Sequence, residues 1–136
     1  MAQTEKPTTL GYQETARRMA TAGDGSGSCY KKIVGLTGAC TAAEASTFAN
    51  PGGATKLAAN GFTIADADTV AYAATNKVKV DHVFTCADAA QSVTGFAIEN
   101  ADADVVFMEC CFAAAIPAEV GDTITISATV EFKLGV

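Results

Sequence analysis

The sequence predicts a mainly β protein, an antiparallel β-sandwich of jelly-roll or immunoglobulin-like type. The segment from Thr123 to Leu134 alternates apolar and polar side chains without interruption, which is the period of a strand with one buried face. Other short apolar segments recur with turn residues between them, at the spacing typical of a sandwich and, less often, of a small barrel. The chain shows no long internal repeat, so a solenoid or propeller is not supported.

The final strand has two distinct faces. Its hydroxyl-rich face is predicted to point outward, where Thr and Ser favour strand pairing. A strand of this length is also predicted to offer a free edge to another chain if it lies at the side of its sheet. The inward side chains are Ile124, Ile126, Ala128, Val130, Phe132 and Leu134, and the outward ones are Thr123, Thr125, Ser127, Thr129, Glu131 and Lys133.

Six further strands are predicted before the final one. The segment from Val105 to Phe112 is apolar on both faces, which predicts a central strand covered on each side. The stretch from Thr37 to Ala54 is rich in small residues and predicts a long irregular segment, with a possible helical turn near Ala42 to Ala45. The other strands are predicted at Tyr30–Leu36, Thr55–Ala65, Thr69–Tyr72, Lys77–Cys86 and Val93–Glu99.

The first 28 residues are predicted to stand apart from the β-sandwich, which we place at residues 29–136. Met1 to Thr8 is polar and predicts an extended arm. Tyr12, Ala16 and Met19 recur at helical spacing, which predicts a helix from Leu10 to Ala22. Gly and Ser then predict a flexible linker up to Ser28.

Composition excludes several classes of function. The 136-residue chain has a formal net charge of −6. Nucleic acids and anionic membranes bind proteins through clusters of Lys and Arg, so this charge argues against both as partners. It has no apolar run of the roughly 20 residues that cross a bilayer. Its first ten residues lack the pattern of a signal peptide. We therefore expect a protein made and folded in the cytoplasm.

The five cysteines predict no defined site. They stand at Cys29, Cys40, Cys86, Cys110 and Cys111 without a C-x-x-C spacing, so neither zinc binding nor a thioredoxin-like motif is indicated. An odd number leaves at least one thiol unpaired within the chain. Buried reduced thiols are the favoured interpretation, and a Cys29–Cys40 bridge is the alternative.

No catalytic, cofactor or metal residue is predicted. His82 is the single histidine and lies in an apolar row beside Phe84, which favours a hydrogen-bonded core or subunit-contact residue. The pairs Asp66/Asp68 and Asp102/Asp104 lie in predicted turns, where Asp bonds backbone amides. Too few further oxygen ligands accompany them for a calcium loop. We therefore expect a protein that is not an enzyme.

The order of features resembles a group of small virion structural proteins of tailed bacterial and archaeal viruses, called decoration or tail-fibre-like proteins. The resemblance rests on a strand ending at Gly38, a small-residue stretch from Ala39 to Phe48, and the segments Lys79–Cys86 and Val93–Ala101. The turn at Val120–Thr123 and the final strand complete it. Cys110 and Cys111 depart from the residues that are usual in the corresponding strand of this group. The resemblance implies a non-enzymatic β-sandwich in a symmetric assembly.

The leading hypothesis is a virion protein, assembled in the host cytoplasm, that self-associates and decorates or stabilises a capsid, neck or tail. Its expected partners are further copies and other virion structural proteins. One alternative is a subunit of an extracellular filament built by strand complementation, and another is a glycan-binding module, although Trp is absent. The candidate subunit contacts are Thr123, Thr125, Ser127, Thr129, Glu131, Tyr12 and Arg17.

Overall fold

The computed structural model describes residues 30–43, 46–74, 76–100 and 105–132. The predicted arm, helix and linker lie outside the described residues, and so do residues 133–136. Within the described part the elements are β1 (Tyr30–Thr37), a 3-10 helix (Pro51–Gly53), β2 (Thr55–Lys56), β3 (Ala65–Asp66), β4 (Thr69–Ala74), β5 (Lys77–Thr85), β6 (Gln91–Asn100), β7 (Val106–Ala118) and β8 (Thr123–Glu131).

The strands form two antiparallel sheets, which confirms the predicted fold class. The larger sheet has the order β2–β1–β6–β7, and β3 also pairs with β1. The smaller sheet has the order β4–β5–β8. Since β5 and β6 follow each other in the chain but belong to different sheets, as do β7 and β8, the connections cross from one layer to the other. The arrangement is that of a sandwich.

One hydrophobic core joins the inner faces of the two sheets. Ile33 and Ile98 of the larger sheet and Val78, Val80 and Phe84 of the smaller sheet are almost fully buried in it. The apolar row predicted around His82 is confirmed, because every second residue of β5 from Val78 to Phe84 faces this core. Each of the apolar side chains in the core stabilises the fold by about 1.5–3 kcal/mol through removal from water.

The prediction that the strand after Val105 is central was wrong. β7 lies at the side of the larger sheet, and the strand with both faces buried is β6, where residues 95 to 100 are all buried. Up to Phe112, β7 is half-buried on both faces even at the side of the sheet, whereas residues 113 to 117 are exposed. Its Cys110 packs against the core between the sheets, while Cys111 lies under a segment on the opposite face. β7 also extends six residues beyond the predicted end at Phe112.

The prediction of one continuous strand from Thr55 to Ala65 was also wrong. Only its two ends pair with β1, as β2 and β3, and the residues between them form a loop. Asn60 and Gly61 take positive φ angles of 58° and 85°, which a strand cannot accommodate. Phe62 is fully buried and contacts Phe84, with 5.6 Å between ring centroids. The apolar residues that indicated a strand therefore anchor a loop.

Candidate self-association surface

β8 forms one side of the smaller sheet. It pairs with β5 in nine successive register positions, from Lys77 opposite Glu131 to Thr85 opposite Thr123, without a bulge. Within the described residues no strand pairs with its other side, which we call the free edge of β8. A regular ladder presents unpaired backbone N–H and C=O groups along such an edge. The geometry therefore allows a further strand to be added.

The predicted alternation along β8 is confirmed. Ile126 and Ala128 are buried against the core, and Ile124 and Val130 are half-buried. The predicted contact residues on the opposite face are all exposed, namely Thr123, Thr125, Ser127, Thr129 and Glu131. We call this surface, together with the outward residues of β5, the outer face of the smaller sheet. Tyr12 and Arg17, the other predicted contacts, lie outside the described residues.

Charged groups on the outer face are paired with their strand neighbours. Ser127 Oγ donates a hydrogen bond of 2.7 Å to Asp81 Oδ1, and Lys79 Nζ lies 3.0 Å from Asp81 Oδ2. The hydrogen bond from Ser127, supported by Lys79, holds the pKa of Asp81 below its ordinary value. Lys77 Nζ lies 3.8 Å from Glu131 Oε1 at the end of the ladder. The face therefore carries little unpaired charge that would repel a second copy.

Sequence reasoning missed Val83 on this face. Its side chain is 46% exposed and lies opposite Thr125. The signal was present in the sequence, because an apolar residue interrupts the otherwise polar outward row of β5. Val83 adds one exposed apolar side chain among the Thr side chains of the outer face, and a single such residue does not by itself mark a binding surface.

His82 lies on the inner side of β5, as predicted. Its Nδ1 is 3.2 Å from Asp68 Oδ1, and its ring packs edge-on against Phe84 at 4.5 Å between centroids. Asp68 Oδ2 also accepts a hydrogen bond of 2.9 Å from the Val83 amide. Asp68 therefore ties the start of β4 to β5 and fixes the position of the imidazole.

Asp66 was predicted to lie in a turn, but it is the last residue of β3 and pairs across to β1. Asp66 accepts a hydrogen bond of 2.7 Å from Lys32, and this bond holds the pKa of Asp66 below its ordinary value. Asp122 Oδ2 accepts a hydrogen bond of 2.9 Å from the Glu119 amide, a contact typical of Asp in a turn. Asp102 and Asp104 lie outside the described residues. Among the residues that are described, no group of three His, Cys, Asp or Glu side chains could hold a metal ion.

The cysteines depart from the prediction. Cys40 and Cys111 form a disulfide with 5.4 Å between their Cα atoms, so these two are not reduced thiols, and Cys40 does not pair with Cys29. Cys86 and Cys110 are free, as predicted. Cys29 is outside the described residues. The pair was missed because 71 residues separate its members in the chain, and they meet where the segment after β1 passes over β7.

An open apolar groove lies at the β2 side of the larger sheet. It has a volume of about 370 Å³ and is lined by Val34, Phe48, Leu57 and Ile64, with Lys56 at its wall. The Lys56 ammonium lies 3.2 Å from the centroid of the Phe48 ring and also contacts Glu99. Since Lys56 is engaged by both neighbours, its charge is not free to recruit an anion.

Comparison of the chain with protein-family models, with curated proteins and with solved structures found no match. In the described part of the chain, no helix has the length and apolar character that a membrane span requires.

Proposed function

We propose that this protein is a non-enzymatic structural protein that self-associates through β8. The observation that carries the proposal is the free edge of β8, nine residues long and regular along its whole length. Monomeric proteins usually block such edges with Lys, Pro or a bulge. Within β8, no Lys or Pro occurs and its pairing with β5 shows no register shift.

The simplest contact is two-fold. β8 of one copy lies antiparallel to β8 of a second copy, so that two three-stranded sheets become one six-stranded sheet. The same operation brings the two outer faces side by side and lets their Thr side chains form cross-strand pairs. Backbone hydrogen bonds supply the affinity, and the weak charge of the outer face allows close approach.

The setting we propose is a virus particle, where such a protein decorates or stabilises a capsid, neck or tail. The support for this setting is the resemblance of the sequence to small virion structural proteins, together with the sandwich fold. Mass spectrometry of purified particles tests it, with the protein expected in stoichiometric amounts. Its absence from particles would reject the viral setting and leave self-association standing.

Self-association through β8 is tested by placing lysines on its outward positions. Thr125→Lys and Thr129→Lys place long charged side chains on the outer face of β8, beside its free edge, where they would meet the same lysines of a second copy. We expect the double variant to be monomeric by light scattering at concentrations where the wild type is dimeric or larger. Ser92→Lys is the matched control, because Ser92 is exposed on β6 of the other sheet. A wild type that stays monomeric at millimolar concentration would overturn the proposal.

A further inference from the structure

Residues 38–43 and 46–54, which we call the covering segment, lie across the outer face of the larger sheet. Under them Val34 and Leu36 of β1 and Ala97 of β6 are buried together with Ala54. Cys40 and Val106 pack at the border of this cluster. The larger sheet is therefore covered on both faces, by the smaller sheet on one and by an irregular segment on the other.

The covering segment is joined to β7 by the Cys40–Cys111 disulfide. Gly52 packs directly on this bond, because a Cβ placed on Gly52 would lie 2.9 Å from both sulfur atoms. Gly52 also has a φ angle of 60°, which favours glycine. The neighbours of Cys40 at Ala39 and Thr41 are exposed, and Cys40 itself is half-buried. Cys111 is half-buried as well, so neither cysteine of the pair is fully enclosed.

Glu109 of β7 supplies a second, non-covalent attachment. Its Oε1 accepts hydrogen bonds from the Ala43 amide at 2.6 Å and from Ser46 Oγ at 2.7 Å. Its Oε2 accepts one of 2.5 Å from the Gly52 amide. Three donors of the covering segment thus converge on one carboxylate, two residues before Cys111 on the same face of β7.

We propose that the Cys40–Cys111 disulfide is a thiol–disulfide exchange site at which a dithiol reductant releases the covering segment. One thiolate of the dithiol attacks a sulfur of the pair, forms a mixed disulfide and expels the other cysteine as a thiolate. The second thiol of the reagent then closes its own disulfide and frees the remaining cysteine. Two electrons and two protons pass from the dithiol to Cys40 and Cys111.

Release of the covering segment uncovers an apolar surface. Without the disulfide the segment is held by Glu109, by the Lys56–Phe48 contact and by the burial of Pro51 and Ala54, and no covalent bond then keeps it on β7. Val34, Leu36 and Ala97 would then be accessible from the outer face of the larger sheet. This inference concerns the sheet opposite to β8 and does not depend on self-association.

The test is hydrogen exchange on the wild-type protein before and after treatment with dithiothreitol near neutral pH. Alkylation and mass spectrometry establish the state of Cys40 and Cys111 in each sample. On reduction we expect amides of residues 46–54 to exchange about tenfold faster or more, while β5 and β8 keep their protection. Unchanged exchange after complete reduction, or free Cys40 and Cys111 thiols before it, would overturn the proposal.

Two variants separate this site from the other cysteines. Cys110→Ser removes the neighbouring free thiol of β7 and should respond to dithiothreitol as the wild type does. Cys40→Ser with Cys111→Ser should exchange rapidly in the covering segment from the start and should not respond. If that double variant does not fold, the wild-type measurement still decides the question, because it starts from the folded protein.

Discussion

Two glutamates on the same side of the larger sheet have opposite pKa shifts, which shows how local partners decide the state of a carboxyl group. Burial alone would raise the pKa of Glu109, but hydrogen bonds from Ser46 and from two backbone amides outweigh it and lower this pKa. Glu99 is fully buried, and burial raises its pKa although Lys56 acts in the opposite direction. Oε2 of Glu99 has no donor among the described residues.

Replacing Glu109 by Gln should destabilise the protein by about 1–2 kcal/mol at neutral pH, because charge-assisted hydrogen bonds to the covering segment are lost. A lowered folded-state pKa contributes stability above the unfolded-state value and loses it as the pH falls through the folded-state value. The difference between Glu109→Gln and wild type in urea unfolding should therefore shrink towards about pH 3. Glu119→Gln, at an exposed turn, serves as control and should change little at either pH.

Replacing Lys56 by Met should cost about 3 kcal/mol at neutral pH, because Glu99 is then left buried without its partner. The raised pKa of Glu99 means that folding favours its protonated form, so stability falls as the pH rises from the unfolded-state pKa through the folded-state pKa. The loss caused by Lys56→Met should thus be smaller near pH 4 than at pH 7 in urea unfolding.

The double variant Lys56→Met with Glu99→Leu checks this explanation. It removes both charges and should recover most of the stability. A double variant as unstable as Lys56→Met alone would show that packing, and not the unpaired carboxylate, determines the loss.

At the scale of elements, the loop between β2 and β3 rests against the turn after β5. Gly61 has a φ angle of 85°, and a Cβ on it would lie 1.8 Å from the Thr85 carbonyl oxygen. Ala87 N also donates a hydrogen bond of 3.0 Å to the Asn60 carbonyl. The close approach of these two backbones holds Phe62 in the core.

Gly61→Ala should therefore cost more than a positive φ angle alone. Gly121 is the matched control, because it has a φ angle of 95° with nothing within 4 Å of an added Cβ. We expect about 1 kcal/mol for Gly121→Ala and about 3 kcal/mol or more for Gly61→Ala in thermal or urea unfolding. Equal losses in the two variants would mean that the contact with Thr85 relaxes at no cost.

The disulfide should make a large contribution to stability. It closes a loop with a sequence separation of 71 residues, for which the chain-entropy model gives about 4 kcal/mol. Urea unfolding of Cys40→Ser with Cys111→Ser should show a loss of about 2–4 kcal/mol, whereas Cys110→Ser should lose less. A loss below that of Cys110→Ser would contradict a stabilising role.

Most strand bounds could be predicted from the sequence, including those of β1 and β6 in the larger sheet, but the position of a strand within its sheet could not. β5 and β8 alternate because one face of the smaller sheet meets water, so their bounds and buried residues followed from period two. β7 gives no such signal, since Cys110 and Cys111 both lie under cover. Phe62 was assigned to a strand because a buried apolar residue that anchors a loop gives the same sequence signal as a buried residue in a strand.

Only part of the candidate self-association surface could be predicted from the sequence. The outward row of β8 follows from alternation, but the free edge depends on strand order, which long-range pairing determines. Glu109 could not be identified as the acceptor for the covering segment, because its donors are 57 to 66 residues away in sequence. The pairing of Cys40 with Cys111 could not be identified either, because 71 residues separate the two.

At the scale of the whole molecule, the two sheets differ in what covers them. The larger sheet is covered on both faces over most of its area and ends on one side in β2 and β3, which are short. On its other side it ends in β7, which contains Pro117 and pairs with β6 through two register shifts, both of which hinder the addition of a strand. The smaller sheet leaves its outer face and the free edge of β8 open within the described residues. Growth of the structure by addition of a second copy is therefore expected at the smaller sheet.

The most direct test of self-association is amide hydrogen exchange of the wild type at a low and a high protein concentration. We predict that amides of β8, residues 123–131, exchange more slowly at the high concentration, while those of β5, already paired on both sides, do not change. Slower exchange confined to β8 would place the contact at its free edge. Identical exchange of β8 at both concentrations, under conditions where light scattering detects association, would contradict the account.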